Sequence, residues 1–193
     1  MNVPNKLTVL RILLIPVFLL VIVGPFDWGM IEVSGISISL ARIVAMFIFV
    51  VASLTDWLDG YLARQWNLVT NFGKFADPLA DKMLVMTAFI VLVALNQAPA
   101  WIVSIIVMRE LAVTGLRLLL VEDGEVIAAA WPGKIKTATQ MFAIIFLLLE
   151  DLPFSLFTSF SVSQLLLYLS LIFTMYSGVD YFIKNREVFQ GSM

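Results

Sequence analysis

The chain has 193 residues, 61% hydrophobic and only 13% charged, with 12 basic and 14 acidic side chains and a net charge of −2. A soluble protein carries roughly 25% charged residues, so this composition indicates an integral membrane protein built as one helical bundle. No basic run or tail suggests a nucleic-acid partner. Cysteine and histidine are both absent, which excludes disulfides, thiolate chemistry and imidazole bases; carboxylate, lysine, tyrosine or a metal-bound group must handle protons.

The first segment runs from about Leu7 to Gly24, with Asn5 or Thr8 as its cap and Pro16 as an expected kink. Its basic start and apolar run resemble a signal peptide. It ends in Gly24, Pro25 and Phe26 with no small-residue cleavage site, so it reads as a retained span. Residues 24–39 read as a loop. The second segment starts near Leu40 and continues into Asp56, and the third runs from Phe75 or Asp77 to Leu95. Asn96, Gln97 and Pro99 break the next apolar run, giving a fourth segment from Trp101 to about Leu120. A charged turn around Gly124 leads to the fifth, Lys134 to Leu149. Asp151 and Pro153 interrupt again before the sixth, Ser163 to Ile183. The expectation is an all-α, six-transmembrane-helix bundle forming a single domain over residues 1–193. The tryptophans near segment ends suit interfacial belts. The terminal VFQGSM is set aside from the functional reading.

Basic residues give the orientation. With a cytoplasmic N-terminus, Lys6, Arg11, Arg64, Lys74, Lys82, Arg117, Lys134, Lys136, Lys184 and Arg186 fall at inner ends, and only Arg42 lies near an outer end. Both termini are then cytoplasmic, in a multi-pass protein of the cell membrane. The charge-free runs 43–55 and 137–149 have thirteen residues each, whereas a span needs about 20. Both helices must borrow charged residues from their cytoplasmic ends. Asp56, Asp59, Lys134 and Lys136 are thus expected at the inner hydrocarbon boundary, where a lipid headgroup and a water-borne substrate can meet.

The stretch from Asp56 to Asp81, DWLDGYLARQWNLVTNFGKFADPLAD, carries four aspartates in this apolar chain. On a helix, Asp56, Asp59, Gly60, Ala63 and Arg64 fall near one face, while Gly73, Asp77 and Asp81 recur every four residues on another. A lone aspartate at a helix end is ordinarily a solvated charge. Four at these spacings repel one another and are expensive at membrane depth. Two divalent cations balance four carboxylates, and oxygen donors without Cys or His suit Mg²⁺ or Mn²⁺.

The pattern D-x-x-D-G-x-x-A-R-x8-G-x-x-x-D-x-x-x-D, complete here, resembles the CDP-alcohol phosphotransferase family. The resemblance implies six-helix membrane enzymes, commonly homodimers, that replace the CMP of a CDP-linked lipid with an alcohol. It further implies Asp56, Asp59 and Asp77 as metal ligands, Asp81 as a ligand and the base on the attacking hydroxyl, Gly60 and Ala63 as room for the cytidine end, and Arg64 at the diphosphate. It also implies Asp56 and Gly73 as part of the CDP-binding set. The small residues at 60, 63 and 73 permit close helix or ligand approach.

Arg109 and Arg117 are eight apart on the fourth segment and share similar faces, and Lys134 and Lys136 open the fifth. Cations beside a metal site invite a second anion, with Thr114 as a further contributor. The strings VPNKLTVLR, REL, TGLR and EVIAAAWPGKIKT resemble a branch of the same family, which implies CDP-diacylglycerol as donor and sn-glycerol 3-phosphate as acceptor. Three alternatives remain open at this stage. They are another phosphorylated acceptor such as an inositol phosphate, a prenyltransferase with its own Asp-rich Mg²⁺ motifs, and a cation channel or transporter. Asp180 reads as a helix-end charge or as a residue facing the site.

Overall fold

The computed structural model describes residues 2–33, 35–66, 71–122 and 131–186, without the side chains of 57, 63, 64, 71, 72, 74, 75, 78 and 117–122. Its helices are α1 (Val3–Val23), α2 (Leu40–Gln65), α3 (Asn71–Ala94), α4 (Ala100–Glu122), α5 (Trp131–Leu148) and α6 (Val162–Lys184). All six expected segments are helical. α1 and α3 begin about four residues earlier than the apolar periodicity suggests, and α1 is continuous through Pro16. Pro4 in its first turn has no amide to leave unsatisfied, which suits a helix start. The polar link before Asn71, the charged turn around Gly124 and the terminal VFQGSM lie outside the described residues.

One expectation is corrected. Within residues 24–39 lies a two-stranded antiparallel hairpin, β1 (Met30–Val33) and β2 (Ile36–Ser39), with Val33 opposite Ile36. Ile31, Val33, Ile36 and Ile38 supply β-branched residues, and Gly35 takes a positive φ of 87° that other residues rarely adopt. Ile38 is buried and anchors the hairpin to the bundle.

Among the described residues, three helices are long and apolar enough to cross a membrane: Val3–Val23, Leu40–Leu62 within α2, and Val162–Lys184. Their outward faces are apolar too, with Leu13, Val17 and Leu20 of α1, Phe47, Val51 and Leu54 of α2, and Ile172, Met175 and Val179 of α6 exposed. Apolar outward faces of this kind suit a membrane-associated protein.

The core is a seam of small and aromatic residues. Ala41, Ala45, Phe49 and Ala52 form the buried stripe of α2, and Ala76, Ala80, Leu84 and Ala88 that of α3. Phe18 of α1, Ile102 and Ile106 of α4, and Ile144 and Leu147 of α5 cluster with the α2 stripe and with Leu84 and Ala88 of α3. With Ala45, Ala52, Ala80 and Ala88 all at 0% exposure, the helices approach with no room for more volume. Ala88→Leu should therefore destabilise the bundle by about 1–3 kcal/mol, seen as a lower midpoint in detergent thermal denaturation; an unchanged midpoint would show a looser seam.

Asp59 continues the buried stripe of α2, and Asp77 and Asp81 lie on or beside that of α3. The aspartates face inward because they extend the core faces, with charge replacing methyl groups. Helix direction alternates, so this end gathers the start of α1, the end of α2, the start of α3, the later part of α4, the start of α5 and the end of α6. At the opposite end the Arg42 guanidinium pairs with Glu150, and Asp151 accepts from the Ser163 amide at 2.5 Å, capping the start of α6.

Candidate active site

Two adjoining clusters occupy the aspartate-bearing end. In the first, Arg11 of α1 is completely buried and reaches both carboxylates of α2, with Nη1 2.8 Å from Asp56 and Nη2 2.5 Å from Asp59. One turn earlier, the Thr8 hydroxyl lies 2.5 Å from Asp77 Oδ1. α1 thus ties the two acidic helices together. Asp59 is buried, whereas the Asp56 side chain keeps 36% of its surface, so the pair opens to solvent through Asp56. Asp56 also stands within electrostatic range of Asp59, Asp77 and Asp81.

The second cluster lines a cavity of about 470 Å³ between α3, α4, α5 and α6, a size suited to a small ligand. Four basic residues (Lys82, Arg109, Lys136, Lys184) and three acidic ones (Asp81, Glu110, Asp180) face it, with Gln140, Ser177, Tyr181 and Asn185 as neutral polar partners. Its cations are already held in place. Lys136 pairs with the buried Glu110 carboxylate, and Arg109 lies 3.4 Å from the same oxygen. Lys82 donates to Thr114, whose hydroxyl in turn donates to the Glu110 carbonyl at 2.6 Å. Asp180 pairs with Lys184 at 2.8 Å at the mouth.

Asp81 joins the two clusters. It lines the cavity, and it feels Asp56 and Arg11 on one side and Lys136 and Glu110 on the other. Asp56, Asp59 and Asp77 are not among the lining residues.

The structure therefore brings together Asp56, Asp59, Asp77 and Asp81, and places Arg109 and Lys136 beside them. Thr114 stands one contact behind, on Lys82. Lys134 is exposed and absent from the cavity lining, because two residues along an α-helix turn about 200° apart; the expectation that it joins Lys136 there is not met. Gly60 lies on α2 and Gly73 is buried in α3. The Ala63, Arg64 and Arg117 side chains are outside those described. Arg11, Thr8, Lys82, Glu110 and Ser177 were not expected at the site. For Arg11 and Thr8 a signal existed: polar residues three apart inside an apolar helix are expensive there unless they serve a site.

A family model described as CDP-alcohol phosphatidyltransferase matches residues 1–176. The chain belongs to this family. It is 53% identical over 191 residues to a CDP-diacylglycerol–glycerol-3-phosphate 3-phosphatidyltransferase of Bacillus subtilis, covering 99% of this chain and 98% of that one. It is 40% identical over 181 residues, covering 93% and 79%, to a probable phosphatidylglycerophosphate synthase of Mycobacterium tuberculosis. A Sodalis glossinidius protein named like the first is 35% identical over 192 residues, covering 97% and 96%.

The donor set fits a hard divalent cation in kind: clustered carboxylate oxygens, with neither Cys nor His in the chain. Among the described residues no three acidic side chains converge on one point as they stand. Asp56 and Asp59 are turned onto Arg11, so a cation held by them would have to displace a guanidinium contact.

Proposed function

We propose that this chain transfers the phosphatidyl group of CDP-diacylglycerol to sn-glycerol 3-phosphate, giving phosphatidylglycerophosphate and CMP. The observation that carries the reading is the position of Asp81, shared between an acidic cluster and a cavity whose cations suit a phosphorylated acceptor. The relatives' names supply the donor and acceptor, and the full-length match to the Bacillus subtilis protein supports carrying both across.

In this reading Asp56, Asp59, Asp77 and Asp81 hold two divalent cations, Mg²⁺ or Mn²⁺. When bound, such cations supply charge neutralisation on a diphosphate undergoing in-line displacement. The remaining work falls to the protein. Arg109, Lys82 and Lys136 hold the acceptor phosphate, aided by Arg117 from the same helix, and Glu110 keeps Lys136 in place. The cavity then brings the acceptor hydroxyl to Asp81, whose carboxylate takes its proton as the oxygen bonds to the phosphatidyl phosphorus and CMP leaves. Gly60, Ala63, Arg64 and Gly73 form the face for the cytidine diphosphate.

The same reading makes the protein a multi-pass component of the cell membrane with six spans, both termini and the site on the cytoplasmic side, and a homodimeric assembly. Support comes from helix length and charge. Helices of 18 to 26 residues reach roughly 27–39 Å at about 1.5 Å per residue, against a hydrocarbon core of about 30 Å. The site-bearing end holds Lys6, Arg11, Lys82, Lys136 and Lys184, as an inner face does.

Arg109→Ala tests the acceptor side. Losing hydrogen bonds to a charged group, at about 1.5–3 kcal/mol, should raise the apparent KM for glycerol 3-phosphate roughly 10- to 100-fold. The KM for CDP-diacylglycerol should stay within about twofold. An unchanged acceptor KM would remove Arg109 from the phosphate site.

A further inference from the structure

Arg109 lies between two different surroundings. Its near side faces the polar cavity, but its stem also forms the wall of a wholly apolar groove of about 500 Å³ between α4 and α6, lined by Ile105, Met108, Met175, Val179 and Phe182. On the polar side α6 offers the guanidinium a close partner. Nη2 donates to Ser177 Oγ at 2.8 Å. The hydroxyl's own proton is directed back to the Phe173 carbonyl at 2.7 Å, which leaves its lone pairs to the guanidinium. The next residue, Gly178, lets the α6 backbone lie directly on the arginine stem. A Cβ at 178 would come within 3.1 Å of both Cγ and Nε of Arg109, closer than such contacts normally run.

From this geometry we infer that Ser177 and Gly178 are positioning residues for acceptor recognition. Ser177 sets the direction of the Arg109 guanidinium, and Gly178 sets its height in the cavity. Both act through Arg109, so the inference rests on the acceptor-pocket reading above and adds α6 as a determinant of selectivity for a phosphorylated alcohol. Glu110 alone cannot substitute for Ser177, because its oxygen is 3.4 Å from Arg109 and is engaged by Lys136.

The test compares Ser177→Thr with Ser177→Val, two side chains of equal shape, one with and one without the hydroxyl, so any packing penalty is shared. CMP release from CDP-diacylglycerol is followed in detergent micelles while glycerol 3-phosphate is titrated. Ser177→Val should raise the acceptor KM about 5- to 20-fold relative to Ser177→Thr, with the CDP-diacylglycerol KM matched within twofold, and Gly178→Ala should raise it in the same direction. Combined with Arg109→Ala, Ser177→Val should add nothing further, since its effect passes through the missing guanidinium. Equal acceptor KM values for the Thr and Val variants, or an effect of Ser177→Val that persists in full without Arg109, would overturn the inference while leaving the pocket in place. If Arg109→Ala itself leaves the acceptor KM unchanged, the pocket reading fails, and the inference fails with it.

Discussion

Asp81→Asn should lower kcat by about two to four orders of magnitude, the usual contribution of a positioned general base, while the acceptor KM changes less than about threefold. The expectation comes from Asp81's place at the junction of the two clusters, next to Lys136 and Glu110 and within range of Asp56. Asparagine keeps the shape and one oxygen donor but cannot accept a proton at neutral pH. Asp180→Asn is the matched comparison, since Asp180 lines the same cavity but sits at the mouth, paired with Lys184. It should retain most turnover. Initial rates of CMP release for the two variants decide the matter; near-parental turnover by Asp81→Asn would refute its role as base.

Arg11→Ala should produce the largest loss of stability. The guanidinium is fully buried and serves two carboxylates, Asp56 and Asp59, of which the second is also buried. Removing one partner of a buried ion pair leaves uncompensated charge and costs about 3–5 kcal/mol. The thermal midpoint in detergent without divalent cations should fall sharply. Because the freed aspartates are those proposed to hold cations, Mn²⁺ should raise the midpoint more in Arg11→Ala than in the parent. A midpoint that neither falls nor gains in cation response would show that Arg11 plays no part in balancing the cluster.

Much of this arrangement is legible in the sequence. Apolar runs broken at Asn96–Pro99 and Asp151–Pro153 located the helices, because turn residues interrupt hydrophobic stretches for simple steric reasons. The spacing of Asp56, Asp59, Asp77 and Asp81 put them on inward faces, because helical periodicity carries the core stripe straight into them. What the pattern could not express was contact between helices distant in the chain. Arg11 reads as one more inner-end cation until α1 is seen to pack against both α2 and α3. Lys134 and Lys136 look equivalent as charges, yet helical rotation sends only the second into the cavity. Ser177 and Gly178 look like ordinary small residues of a membrane helix, and only their position over Arg109 gives them a role. The hairpin is not legible because Gly29 and Gly35 mark a loop as readily as a turn between strands.

The most direct test of the central claim is acceptor-dependent CMP release by the purified protein, supplied with CDP-diacylglycerol and Mg²⁺ and offered glycerol 3-phosphate, glycerol, inositol phosphate or serine one at a time. The account predicts sustained release with glycerol 3-phosphate, matched mole for mole by phosphatidylglycerophosphate, and little with the others. Release that follows inositol phosphate and not glycerol 3-phosphate would contradict it.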